Sequence, residues 1–159
     1  MKKLKALENI KFTEDLAEIN QLIEYLVNSG KIDKDLASSI KPKEILKAIE
    51  VVSPLLQDGK MIYREKQFLL CENYNKLVGF TDNNTKVIVQ GVIDLAVVKD
   101  DQVYILDYKT NRGITAENLA KEYKLQLNLY QKAFEEATNM KVTKKYLYSF
   151  NLGELIEVK

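Results

Sequence analysis

The fold is decided by the stretch KVIVQGVIDLAVV-KDD-QVYILDY, which occupies residues 86–108. Two apolar, β-branched runs, residues 86–98 and 102–108, flank a short acidic turn, and this arrangement predicts a β-hairpin. The turn can hold two residues or four, but both choices give one register, in which paired residue numbers sum to 201. The hydrophobic pattern therefore predicts which side chains face each other across the two strands.

That register places two carboxylates, Asp94 and Asp107, directly opposite each other. Cross-strand Cβ atoms in such a pair lie ~4.5–5.5 Å apart, and like charges there destabilise a sheet. The strands are otherwise apolar on both faces, where a charge must be neutralised. One face carries Val92, Ala96, Val98, Val103 and Ile105, and the other carries Ile93, Leu95, Val97, Tyr104 and Leu106. We expect a divalent cation between the carboxylates, with a shared proton or Lys109, on the same strand face as Asp107, as alternatives.

Two carboxylates and a lysine in this arrangement fit the chemistry of phosphodiester hydrolysis. A metal held by Asp94 and Asp107 can polarise a phosphoryl oxygen and lower the pKa of a bound water. Lys109 can orient that water and stabilise the charge that develops on the phosphoryl group. The backbone carbonyl of Tyr108 is a further candidate oxygen ligand. The alternative interpretation is that both aspartates sit at strand ends and point into solvent.

The amino-acid composition limits which kinds of catalytic and metal-binding site the chain can form. The chain has 159 residues, no histidine and a single cysteine, Cys71. The lack of histidine and the single cysteine exclude Ser-His-Asp and Cys-His catalysis, a four-cysteine zinc site and a cysteine-ligated iron–sulfur cluster. A metal site must therefore use oxygen ligands, which favours Mg²⁺, Mn²⁺ or Ca²⁺. We interpret Cys71 as a small buried hydrophobe. The sequence contains no Gly-rich phosphate loop ending in Gly-Lys-Ser/Thr, so we expect no nucleotide site in this chain.

Net charge and hydropathy limit which partners and which cellular compartment we expect. A net charge of +1 predicts that the chain alone grips DNA weakly, so a nuclease function needs help from another domain or subunit. No apolar run approaches the ~20 residues of a membrane-spanning helix. The lysine-rich start is not followed by the apolar segment of a secretory signal, and we therefore expect a cytoplasmic protein with no membrane contact.

Hydrophobic periodicity predicts the remaining elements. We expect the first helix to follow an N-cap at Thr13 and to stop at Asn28-Ser29-Gly30. The order of elements predicts an α/β fold in which helices flank a mixed central sheet, within a single domain made of a helical N-terminal segment (1–57) and a core (58–159). The predicted helices are 14–29, a short one after Asp33, one from Pro42 to just before Pro54, and Ala116–Thr138; the other predicted strands are Met61–Cys71, Lys144–Phe150 and Leu155–Val158, with a loop at Asn73–Asn84.

Three motifs follow one another along the chain: Gln90-Gly91-Val92-Ile93-Asp94, Leu106-Asp107-Tyr108-Lys109-Thr110 and Gln126-Leu127-Asn128-Leu129-Tyr130. Together they resemble the nuclease domain of bacterial RecB/AddA-type helicase–nucleases, most closely the C-terminal domain of the AddA-type subunit, over nearly the whole chain. These domains are a branch of the PD-(D/E)XK superfamily. The resemblance therefore implies a restriction-endonuclease-like fold.

The resemblance also implies roles for particular residues. Asp94 and Asp107 match metal ligands, and Lys109 matches the catalytic lysine. Glu65, in Arg64-Glu65-Lys66-Gln67-Phe68, matches an upstream acidic position and is a further candidate metal ligand.

Residues of the second and third motifs match positions beside the site or in contact with DNA. These residues are Thr110, Gln126 and Tyr130. The helical pattern leaves two alternatives open, namely that Tyr130 is a core aromatic and that Gln126 is the solvated edge of an apolar stripe.

The sequence departs from the family pattern in two places. Family members carry a metal-binding histidine on a helix before the region that matches residue 14, and they usually have an acid where this chain has Asn111. We expect a fragment that begins after the histidine-bearing helix, and the missing ligand leaves two alternatives for the isolated chain, an active nuclease and a folded but inactive one.

The resemblance implies a Mg²⁺-dependent DNA exonuclease domain of a helicase–nuclease, acting in double-strand-break repair and recombination. Its implied partners are DNA, the helicase part of the same parent protein and a partner nuclease subunit. The incomplete ligand set leaves an alternative, a non-catalytic DNA-holding or subunit-docking module of the same assembly.

Overall fold

The computed structural model describes residues 15–75 and 85–159, which form four helices and a five-stranded sheet. In chain order the elements are α1 (Leu16–Asn28), α2 (Lys34–Ser38), α3 (Pro42–Leu56), β1 (Met61–Asn73), β2 (Lys86–Lys99), β3 (Gln102–Lys109), α4 (Ala116–Thr138), β4 (Val142–Ser149) and β5 (Glu154–Glu157). The strand order is β1-β2-β3-β4-β5, with β3 and β4 parallel and the other neighbours antiparallel. The mixed sheet is as predicted, and strand ends differ from the prediction by one or two residues.

The first helix begins later than predicted. Asp15 has an extended backbone and its carboxylate accepts the Ala17 N–H at 2.8 Å, so Asp15 is the N-cap of α1. The predicted cap, Thr13, lies outside the described residues, as does most of the predicted loop at Asn73–Asn84. The helix ends at the predicted stop, where Ser29 is the C-cap and Gly30 adopts a φ of +68°.

The prediction that α3 ends before Pro54 was wrong, because the helix continues through the proline to Leu56. Proline lacks the N–H that would bond to the carbonyl of Glu50, four residues earlier. The Ser53 hydroxyl donates to that carbonyl at 3.4 Å instead, so the Glu50 carbonyl still accepts a hydrogen bond in the last turn of α3.

Two apolar cores lie on opposite faces of the sheet, and a third cluster joins the first three helices. The α4 core packs α4 against one face, and the α3 core packs α3 against the other. The buried residues of the α4 core include Ala96, Val98, Ile105, Leu119, Leu127, Phe134 and Leu147; those of the α3 core include Ala48, Val52, Leu95, Val97, Leu106 and Tyr148. The sheet is therefore covered on both faces around β3.

The β2–β3 hairpin has the predicted register, from Lys99 opposite Gln102 to Leu95 opposite Leu106. The ladder ends there, one residue short of the predicted pairing of Asp94 with Asp107. The backbones of those two residues are therefore not ladder partners, and the strands separate at the level of the two carboxylates.

The alternation of side chains on β2 changes at Asp94, which the sequence did not predict. Ile93 was expected beside Leu95 and Val97, but it is buried in the α4 core together with Ala96. Val92, expected on the face of Ala96, is 39% exposed. The assigned faces of Ile93 and Val92 were therefore wrong.

The cause lies on the neighbouring strand. Glu65 of β1 has a φ of +47°, and it lies between two ladder pairs, Arg64 with Leu95 and Lys66 with Ile93. A left-handed residue inside a strand turns the chain, so the side chains beyond it point to the other face. On β1, Tyr63 and Phe68 consequently both pack against the α4 core despite their odd and even numbers.

The interpretation of Cys71 as buried was also wrong, because this cysteine is exposed. Cys71 lies on β1 opposite Ile88 of β2, on the face of these two paired strands that points away from α4. Leu69 and Ile88 on this face are each 75% exposed. No element within the described ranges covers that face. None of the helices in the same ranges is both long and apolar enough to cross a membrane.

Candidate active site

Asp107 lies near the end of β3 and points toward α4. Only 3% of the residue is exposed, so the interpretation that it faces solvent is excluded. Its Oδ2 atom lies 2.6 Å from the Lys109 ammonium, and its Oδ1 atom lies 3.5 Å from Nε2 of Gln126. The buried Oδ2 atom is therefore partnered by the Lys109 ammonium in an ion pair. Burial raises the pKa of Asp107, and the Lys109 charge partly offsets that effect.

Asp94 lies where the β2–β3 ladder ends. Its Oδ2 atom accepts the backbone N–H of Tyr108 at 2.9 Å, so the carboxylate occupies the position where a strand partner would otherwise bond. Burial, and then the charge of Asp107, raise the pKa of Asp94 to about 6, against the opposing effects of the Tyr108 amide and Lys109. The Asp107 charge therefore acts on Asp94, although the backbones of the two residues do not pair.

Lys109 is held by contacts on several sides. Its side chain is only 13% exposed. Besides the ion pair with Asp107, Nζ donates to Oε1 of Gln126 at 2.9 Å and lies 3.7 Å from the centroid of the Tyr123 ring. An ammonium in such surroundings is a fixed positive charge next to the carboxylates.

Gln126 and Tyr130 reach the site from α4. This helix has the predicted bounds because both ends are capped locally, by the Thr115 hydroxyl at the start and by a left-handed Asn139 after the end. Gln126 links Lys109 to Asp107, and its Nε2 also donates to the Tyr130 hydroxyl at 2.5 Å. Gln126 is therefore not a solvated helix edge.

Tyr130 belongs to the α4 core and to the site at once. It is 7% exposed, and its ring packs edge-on against Phe68 at a centroid distance of 5.5 Å. Burial, and then the negative charge of Asp107, raise the pKa of Tyr130 to about 12. The hydroxyl thus stays protonated beside the carboxylates.

Gly91, of the first motif, lies directly against the Phe68 ring. A Cβ at this position would lie 2.8 Å from the Cε1 and Cζ atoms of Phe68 and 3.6 Å from a ring carbon of Tyr130. The missing side chain of Gly91 therefore lets the Phe68 ring support Tyr130.

The other predicted site residues lie around this centre without joining it through their side chains. Glu65 is exposed on β1 at the level of Asp94, and Thr110 is exposed just beyond β3. The Tyr108 side chain packs in the α3 core against Tyr148, where burial raises its pKa, so only its backbone faces the site. Across residues 15–75 and 85–159, neither Glu65 nor Thr110 shows a hydrogen bond to the site side chains.

Sequence reasoning missed one residue of the centre, Tyr123. The helical pattern places it only in the apolar stripe of α4. Its spacing, three residues before Gln126 and seven before Tyr130, puts all three on one helix face and was a signal that could have found it.

Asp94 and Asp107 are the candidate ligands for a divalent cation. No group of three acidic, histidine or cysteine ligands occurs in the part of the chain that the structure describes. Mg²⁺ is commonly held by one or two carboxylates together with water. Asp94 and Asp107 supply two, and burial, followed by the Asp107 charge, raises the pKa of Asp94, so a cation at these carboxylates would relieve an unfavourable charge. The residues present therefore fit Mg²⁺ held by these two carboxylates.

A mixed sheet with an Asp-x-Lys pair at the end of a central strand, covered by a helix carrying glutamine and tyrosine, defines a class of nuclease folds. The profile of the PD-(D/E)XK nuclease superfamily matches residues 8–156, and the chain belongs to this superfamily. The expected restriction-endonuclease-like fold class is thereby confirmed.

Curated relatives carry a name that describes the A subunit of an ATP-dependent helicase/nuclease. The relative of that name from Ligilactobacillus salivarius is 32% identical over 145 residues, which is 89% of this chain and 12% of that protein. The one from Clostridium acetobutylicum is 34% identical over 154 residues, 91% of this chain and 12% of that protein. The one from Carboxydothermus hydrogenoformans is 43% identical over 106 residues, 63% of this chain and 9% of that protein.

These relatives confirm the resemblance to AddA-type helicase–nucleases. The chain spans 12% of the length of the first and second of them and 9% of the third. Most of each relative therefore has no counterpart in this chain.

Proposed function

We propose that this chain is the Mg²⁺-dependent DNA exonuclease domain of a helicase–nuclease that acts in double-strand-break repair and recombination. The observation that carries the proposal is the buried Asp107–Lys109 ion pair, bridged by Gln126 and placed beside Asp94. Membership in a nuclease superfamily and the names of the relatives support the same function. The proposed partners are DNA, a helicase part in the same parent polypeptide and a partner nuclease subunit.

Each residue of the centre has a proposed role. Asp94 and Asp107 hold the divalent ion, with the Tyr108 carbonyl and Glu65 as further proposed oxygen ligands. When bound, the ion supplies Lewis-acid chemistry, which polarises the scissile phosphate and acidifies water. Lys109 stabilises the negative charge that develops on the phosphoryl group, because its ammonium is already fixed beside the carboxylates.

The helix residues keep the charged groups in place. Gln126 accepts from Lys109 and donates toward Asp107, so it holds the two groups at a constant separation. Tyr130 in turn fixes the Gln126 amide. We propose that Gln126 and Thr110 also meet the DNA strand, Thr110 because it is exposed next to Lys109.

We further propose that residues 1–159 form one domain, with 1–57 as a helical segment on a core of 58–159. The support is that α3 contributes Ala48 and Val52 to the same core as Leu95 and Leu106 of the sheet.

A cleavage assay tests the nuclease function. The 159-residue chain is incubated with end-labelled linear DNA in Mg²⁺ or in EDTA, next to Asp107→Ala and Lys109→Met. We expect Mg²⁺-dependent shortening from the ends, abolished in Asp107→Ala and slowed by about 10²–10³-fold in Lys109→Met. Matched controls are Asp101→Ala, in the exposed turn, and Lys41→Met, an exposed lysine of the helical segment, which should cleave at the parent rate.

A second candidate, a non-catalytic DNA-holding or subunit-docking module, is favoured by two observations. No group of three acidic, histidine or cysteine side chains able to hold a metal occurs among the described residues, and the net charge is only +1. Calorimetry with Mn²⁺ separates the two candidates. Binding that disappears in Asp94→Asn, together with cleavage, supports the nuclease; absence of both binding and cleavage supports the docking module.

A further inference from the structure

The Lys109 ammonium lies closer to an aromatic ring than either other lysine–tyrosine pair measured within the described residues. Its Nζ is 3.7 Å from the centroid of Tyr123, whereas the pairs Lys31–Tyr25 and Lys66–Tyr63 are 5.6 and 5.8 Å apart. A cation over a ring face is attracted by the ring quadrupole, and most strongly where water is excluded. The low exposure of Lys109 places this contact in that stronger class.

The ring completes the surroundings of the ammonium. Lysine carries three N–H groups and no acceptor. Gln126 of α4 accepts one hydrogen bond, and Asp107 of β3 attracts the charge from the strand side. The Tyr123 ring supplies a second contact from α4, one turn before Gln126.

The ring is itself fixed at its far end. The Tyr123 hydroxyl donates to Oδ1 of Asn111 at 3.2 Å, and Asn111 lies two residues beyond Lys109 on the segment that leaves β3. This bond ties the first half of α4 to the chain that carries the lysine. The Tyr123 ring therefore contacts both the Lys109 ammonium and, through its hydroxyl, the segment that follows β3.

We propose that Tyr123 is a positioning residue: its ring face holds the Lys109 ammonium against Asp107, and the hydrogen bond to Asn111 holds the ring. Insofar as Lys109 acts in cleavage, the proposal rests on the nuclease function proposed above. Tyr123 acts through Lys109 and does not itself contact the reacting groups. The ring carries most of the effect and the hydroxyl a smaller part.

The first test reads the position of Lys109 without any cleavage. The lysine methylene bonded to Nζ is one bond from an atom 3.7 Å from the ring centroid, so its protons should resonate upfield of those of other lysines in a carbon–proton NMR spectrum. The signal is assigned by its loss in Lys109→Arg. We expect the upfield shift to persist in Tyr123→Phe and to vanish in Tyr123→Leu. Tyr25→Leu, which removes a tyrosine near a different lysine, should leave it unchanged.

The second test is kinetic, in the same Mg²⁺-dependent cleavage assay. Tyr123→Leu should lower kcat about tenfold or more with little change in KM, and Tyr123→Phe should retain most of the activity. A purely structural role would change thermal stability without separating kcat from KM.

Three results would overturn the proposal: an unshifted Lys109 signal in the parent chain, an unchanged signal in Tyr123→Leu, or equal loss in Tyr123→Phe and Tyr123→Leu. If the parent chain does not cleave DNA, the proposed function fails, and the NMR comparison still decides whether Tyr123 positions Lys109.

Discussion

Replacing Asp94 with asparagine is expected to stabilise the metal-free chain at neutral and alkaline pH. The ordinary pKa of an aspartate is 3.8, and burial together with the Asp107 charge raises that of Asp94 to about 6. Between these values the folded chain binds more protons than the unfolded chain, so the free energy of unfolding falls as the pH rises from 4 to 6. At ~1.4 kcal/mol for each pKa unit, ionised Asp94 destabilises the fold by about 3 kcal/mol above that range.

The asparagine removes this charge and keeps the local bond, because its carbonyl oxygen can still accept the Tyr108 N–H. We therefore expect Asp94→Asn to be more stable than the parent by up to about 3 kcal/mol at pH 8 and nearly equal to it at pH 4. The assay is urea denaturation at a series of pH values in EDTA. Asp101→Asn is the matched control, and its exposed position in the turn should keep its effect within about 0.5 kcal/mol.

Added Mg²⁺ should stabilise the parent chain more than Asp94→Asn. A ligand that binds only the folded chain stabilises it by about 2.7 kcal/mol at a hundredfold excess over Kd, and only the parent retains both carboxylates. An Asp94→Asn chain that is no more stable than the parent at pH 8, or an advantage that does not change with pH, would refute the charge penalty assigned to Asp94.

Two further substitutions test contacts made by residues of β1. Gly91→Ala should destabilise the chain by about 1–3 kcal/mol in urea, because the new Cβ would overlap the Phe68 ring; a neutral effect would show that the ring moves freely. Lys132→Met should cost about 1–3 kcal/mol, because it removes the ammonium from the buried Glu72 carboxylate. Glu136→Gln, which alters only the longer contact of the same lysine at 3.8 Å, is its control and should stay within about 0.5 kcal/mol; equal effects would contradict the importance of burial.

The sequence predicted the features that depend on neighbours along the chain. The bounds of α4 follow from the Thr115 cap and the left-handed Asn139, which are local effects. The β2–β3 register follows from a short turn and two apolar runs, so it was also predicted correctly. The prediction that Asp94 and Asp107 belong to one site came from that register, although the ladder ends at Leu95 and Leu106 and Asp94 reaches β3 by accepting the Tyr108 N–H.

What the sequence could not predict depends on neighbours in space. The change of faces at Asp94 originates in the backbone of Glu65, on a different strand, and nothing in the alternation of β2 itself announces it. The contact of Tyr123 with Lys109 depends on how α4 lies over β3. The apolar neighbours of Cys71 predicted that it is buried. The described residues, however, leave the face of the β1–β2 strand pair that carries Cys71 uncovered.

The enclosure of Lys109 has a consequence for conformational entropy. A lysine free in water samples many rotamers, and fixing it costs ~2 kcal/mol. In this chain Asp107, Gln126 and Tyr123 fix the ammonium within the folded protein, so that loss occurs during folding. An anion that reaches the site therefore meets a charge whose freedom is already gone, and its binding requires no further ordering of the lysine.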